Sequence, residues 1–92
     1  MSRCIKMTFE VKNGNERLFE EIQKKARECQ LEGFIMASSP QAIKMIACGV
    51  SADLDLFLDT VDEIIVRQGG KNMEIDPFLK DKDYRGVFRI ML

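Results

Sequence analysis

The chain has no histidine and no tryptophan, one tyrosine, two prolines and three cysteines among its 92 residues. Without imidazole, and with Cys4, Cys29 and Cys48 at unpaired spacings, it lacks the ligand set of a zinc or other transition-metal site. The thiols read as reduced, buried side chains. One tyrosine and no tryptophan leave few platforms on which single-stranded bases could stack. Fourteen basic against fifteen acidic residues give a net charge of −1. The cations are scattered, so the electrostatic footprint of a nucleic-acid binder is missing. No apolar run approaches the roughly 18 residues of a membrane span, and Met-Ser-Arg-Cys-Ile-Lys at the start does not resemble a signal peptide. These features predict a cytoplasmic protein that engages neither nucleic acid nor membrane and carries no cofactor.

What is present is the composition of one small core: 46% of residues are apolar and 32% charged, which predicts a single domain over 1–92. Ile5, Met7, Phe9 and Val11 alternate with Lys6, Thr8 and Glu10, the period of a strand over 4–11 with one buried face. Asn13, Gly14 and Asn15 supply a turn and a helix N-cap, so a helix starts near Glu16. Leu18, Phe19, Ile22, Ala26 and Cys29 form its apolar stripe, with Glu20–Lys24 and Glu21–Lys25 as i,i+4 pairs on the wet side.

After Gly33 the run 34–37 reads as a second strand, 38–41 as a polar turn and 42–48 as a third strand. Gly49, Val50 and Ser51 are expected to cap a second helix from about Ala52. Its stripe is Leu54, Phe57, Leu58, Val61, Ile64 and Ile65, and Asp55, Asp59 and Asp62 form a solvated acidic face. Residues 73–78 read as an edge strand because Pro77 cannot donate to a ladder. A charged loop over 80–83 and a last strand over 87–92 finish the chain. Met36, Met45, Met73 and Met91 fall on strands, where they either fill the core or leave an adaptable sheet face.

This order predicts an α+β, ferredoxin-like βαββαβ sandwich, with two helices on one face of a mostly antiparallel sheet. The fold alone does not specify an activity.

Three runs point further. Ala26 to Ile35 places Gly33, Phe34 and Ile35 seven to nine residues after an alanine. Ile43 to Gly49 is followed by Leu54, Phe57 and Leu58, and Tyr84 to Ile90 closes the chain. Together they resemble the acylphosphatase family in order and length.

The resemblance implies an acylphosphatase-like domain, and with it a loop of backbone amides that holds phosphate at a helix N-terminus, where amides and helix dipole both favour an anion. It also implies an arginine clamping the acyl phosphate and an asparagine orienting water. Counting back from Ala26 puts Phe19 at the arginine, and counting on from Gly33 puts Ala37 at the asparagine. Phe19 has no donor for a phosphoryl group, Ala37 has no amide, and Glu16 repels phosphate. No catalytic residue is therefore assigned. Asn13, Gly14, Asn15 and Arg17 are the candidates for an anion-binding remnant.

The expected function is a catalytically impaired acylphosphatase-like binding or interaction module. The alternative is an active acylphosphatase with a rearranged Arg17, which helical geometry sets about 200° from residue 19. The partner classes left open are phosphate or another small anion, a protein partner, and a second copy of the chain.

Overall fold

The computed structural model describes residues 2–12, 15–79 and 84–91. The elements are β1 (Ser2–Glu10), α1 (Asn15–Glu28), β2 (Glu32–Ala37), β3 (Ala42–Val50), α2 (Ser51–Arg67), β4 (Lys71–Phe78) and β5 (Phe88–Met91). They build one sheet in the order β4-β1-β3-β2-β5. All neighbours are antiparallel except β2 and β5, which run parallel. The expected α+β, ferredoxin-like architecture is the one observed. The predicted loop 80–83 lies outside the described residues.

The alternation read in β1 is the burial pattern found. Ile5, Met7 and Phe9 are buried, and Met7 is completely covered. They meet Ile43, Met45 and Ala47 of β3, Ile35 of β2 and Phe88 of β5 on the sheet face that the two helices cover. α1 adds Leu18, Phe19, Ile22 and Ala26, the turn after it adds Cys29, and α2 adds Leu54, Phe57, Val61, Ile64 and Ile65. Phe57 and Phe88 pack as tilted rings with centroids 6.2 Å apart, an arrangement aromatic quadrupoles favour.

The other sheet face carries a second, smaller apolar group. Ile46, Cys48 and Tyr84 are buried there, with Cys4, Phe34 and Phe78 beside them. The methionines divide between the faces. Met45 is fully buried in the main core and Met73 packs against it. Met36 lies beside Met91 in the β2–β5 register, and Met91 is exposed.

Two expectations change. The residue at the cap position of α2 is Val50, and no side chain caps the helix; Ser51 is already its first residue, and Asp53 supplies negative charge in the first turn. Cys4 and Cys48 are joined in a disulfide because the β1–β3 register sets them opposite each other. Only Cys29 is a free thiol among the described residues, and it is buried.

Both helices end in the same motif. Gly70 donates to Ile65 and Gly69 to Val66 after α2, while Leu31 donates to Ala26 and Gln30 to Arg27 after α1. The left-handed position is filled by Gly69 in the first case and by Gln30, at φ 56°, in the second. Gly33, at φ 140°, is more tightly bound: a Cβ there would lie 1.9 Å from the Ile46 carbonyl oxygen.

Three stability outcomes follow, all measurable by urea unfolding. Gly33→Ala costs at least about 3 kcal/mol. Gln30→Gly relieves the left-handed side chain and stabilises by about 0.5–1 kcal/mol. Reducing Cys4–Cys48, which closes a separation of 44 residues, costs about 2–4 kcal/mol.

Candidate functional site

Three segments of the chain meet at the sheet end where β1 leaves for α1. Glu10 is opposite Ala42 on one side and Lys71 on the other. Beyond it, the Val11 amide donates to the Gln41 carbonyl at 2.9 Å. The exit of β1, the β2–β3 turn and the start of β4 therefore meet at one place. The Glu10 carboxylate also accepts a bond from the Asn72 side-chain amide at 2.9 Å.

The turn is tied by its serines. Ser38 donates from its backbone amide and its hydroxyl to the Ala42 carbonyl, and the Ser39 hydroxyl accepts from the Ala42 amide. A small cleft of about 220 Å³ opens here, lined by Glu10, Val11, Lys12, Gln41, Gly69 and Lys71. It offers two ammonium groups and an amide, against one carboxylate.

Of the residues proposed from the sequence, Asn13 and Gly14 lie outside the described residues, and Asn15 is the first residue of α1. Arg17, on the first turn, is exposed. Phe19 is 6% exposed and belongs to the main core beside Leu18 and Ile22. The same turn thus sends Arg17 into solvent and Phe19 inward, as two positions on a helix require. Ala37 is exposed at the end of β2, opposite Ile43. With β3 between them, Ala37 and Glu10 are two strand spacings apart, roughly 10 Å.

Asp55 of the acidic α2 face is paired with Arg3, while Asp59 and Asp62 are exposed. Burial raises the Cys29 thiol above its ordinary range, partly offset by Lys25. The thiolate that alkylation needs is thus suppressed at neutral pH.

A larger cleft, about 510 Å³, opens at the opposite sheet end, where Cys4, Cys48, Gly49, Val50, Phe78 and Leu79 meet. Its lining comes from five separate stretches of the chain, and no motif marks them; only the strand register assembles them.

No family model matches the chain, and no curated protein matches it. Solved structures do. An acylphosphatase from Coxiella burnetii, 24% identical, superposes with a TM-score of 0.82 over 98% of this chain and 93% of that one. An acylphosphatase from Bacillus subtilis, 14% identical, gives 0.71 over 97% and 99%. HypF, determined in a phosphate- and nucleotide-bound form, is 13% identical with a TM-score of 0.79 over 99% of this chain, which spans 12% of HypF. By fold, this chain is an acylphosphatase-like domain.

The two first-turn positions separate under mutation. Phe19→Ala is expected to cost about 3 kcal/mol or more, as for other buried aromatics. Arg17→Ala stays within about 0.5 kcal/mol. Chemical denaturation of both variants checks this.

Proposed function

We propose that this chain is an acylphosphatase-like domain that has lost acylphosphatase catalysis and serves as a small binding module. One observation carries the reading. Phe19, which the ungapped count places at the family's arginine, is 6% exposed and contributes to the main core. A residue committed to packing there presents no donor to an acyl phosphate. At the asparagine position, Ala37 offers a methyl group where water would have to be held. Removing one preorganised donor typically costs about two to three powers of ten in rate, and here two are replaced.

A phosphate or similar anion at the remnant loop, through Asn13, Gly14, Asn15 and Arg17, is the small-ligand form of this proposal. HypF, which shares the fold, has been seen with phosphate and nucleotide. A protein partner or a second copy of the chain is the macromolecular form. The proposed compartment is the cytoplasm; no helix among the described residues is long and apolar enough to cross a membrane. There, the thiol pool would hold Cys4 and Cys48 reduced except under oxidation.

A second reading is favoured by the exposure of Arg17 beside the loop. In it, Arg17 swings to the phosphate and a loop asparagine positions water, so that acyl phosphates are hydrolysed. Benzoyl phosphate hydrolysis separates the two. The binding-module reading predicts a rate equal to that of buffer with and without the protein. Saturable hydrolysis lost in Arg17→Ala establishes the second reading instead.

A further inference from the structure

β4 is an edge strand, and its outward-facing backbone can be assigned residue by residue. Cys4 and Cys48 have Cα atoms 4.0 Å apart, the close spacing of a non-hydrogen-bonded antiparallel pair. The even residues of β1 therefore aim their peptide groups away from β3 and toward β4. The Val11 amide, an odd position bonded to Gln41 beyond β3, agrees. Across to β4, Cys4 meets Phe78, Lys6 meets Asp76 and Thr8 meets Glu74, so these are the hydrogen-bonded pairs. Ile75 and Pro77 then point their peptide groups outward, and so does the Met73 carbonyl, which lies trans to the Glu74 amide in one peptide plane. Pro77, which has no amide proton, sits where none is needed.

Among the described residues β4 pairs with β1 alone. Its free edge thus offers the Met73 carbonyl and the amide and carbonyl of Ile75. The side chains along this edge divide by face. Ile75, opposite Met7, lies on the helix-covered side and is 50% exposed. Glu74 and Asp76, both exposed, lie on the other side, and neither is in an ion pair among the described residues. Lys6 flanks Asp76 from β1, whereas Thr8 flanks Glu74, so Glu74 carries the less compensated charge.

A second copy fits this edge poorly. Antiparallel registers pairing Met73 with Ile75, or Ile75 with itself, set Glu74 against Glu74 or against Asp76, and like charges directly opposite are destabilising. Pro77 and the irregularity in register between Thr8 and Glu10 guard the edge as natural edges are guarded. The same carboxylates that refuse a copy favour a cationic strand.

The geometry points to β4 as a docking edge for an extended basic segment of a partner protein. An apolar residue would lie opposite Ile75, with lysine or arginine on either side facing Glu74 and Asp76. The segment adds as a further antiparallel strand: backbone bonds to Met73 and Ile75 hold it and the alternating side chains select it. This deepens the binding-module proposal and rests on it.

The test uses the whole chain and a fluorescent seven-residue peptide alternating lysine with valine. Two control peptides alternate glutamate with valine and lysine with proline. The expected result is saturable binding of the lysine–valine peptide alone. Slower hydrogen exchange at the Ile75 amide should accompany it. In the charge-reversed variant Glu74→Lys, Asp76→Lys, affinity should fall about tenfold or more, as two opposed pairs turn from attraction to repulsion. These two sites are exposed and the variant is expected to fold, which circular dichroism verifies.

Failure of the lysine–valine peptide to bind overturns the proposal. So does equal binding of the lysine–proline peptide, which would mean charge attraction without strand addition. A dimer in sedimentation that Asp76→Lys strengthens would make a second copy the occupant and also overturn it. Benzoyl phosphate hydrolysis on the same sample reports separately: activity there removes the binding-module reading, and a silent peptide without activity removes only this one.

Discussion

The nine-residue antiparallel pairing of β1 with β3, from Ser2 opposite Val50 to Glu10 opposite Ala42, is the constraint on which the rest of the structure depends. It places β1 and β3 side by side at the centre of the sheet, with β4 and β2 outside them. It turns Ile5, Met7, Phe9, Ile43, Met45 and Ala47 to one face, and α1 and α2 cover that face. A slip of one residue would expose that whole set. The same register sets Cys4 against Cys48 and brings the exit of β1 to the β2–β3 turn. It also determines which backbone groups of β4 face solvent.

At the candidate site, packing and chemistry compete for one helical turn. The first turn of α1 must send two large residues, Leu18 and Phe19, into the core. Whatever cations it keeps, such as Arg17, then lie on the outer side. The resemblance to acylphosphatases implies a phosphate-clamping arginine at the position that Phe19 occupies. In this chain the inward position strengthens the core instead. The burial of Phe19 supports the proposed reading as a binding module, which is why the functional proposals turn to surfaces.

Most of the fold was legible in the sequence because each element shows a clear period. The strict alternation over Ile5–Val11 and the stripe from Leu54 to Ile65 appear with the burial predicted for them. What escaped depended on residues far apart in the chain. Nothing local shows that Cys4 and Cys48 are partners, or that Ile46 and Cys48 are buried on the helix-free face by Tyr84 and its neighbours. Nor does composition reveal that Met45 and Met91 belong to opposite faces. The cap of α2 was misread because Ser51 has the right chemistry one residue too late, with Val50 in the capping position. At the candidate site, the burial of Phe19 followed from helical spacing. The meeting of Lys12, Gln41 and Lys71 around one cleft did not, since it needs the three-dimensional register.

The central proposal is that this acylphosphatase-like domain has lost acyl phosphate hydrolysis, whether or not its remnant loop still holds an anion. It is tested most directly by single-turnover hydrolysis of an acyl phosphate with the protein in excess over the substrate, where even a weakened site turns over what it binds. The account predicts the rate of buffer alone. A protein-dependent rate that rises saturably with protein and is lost in Arg17→Ala would contradict it.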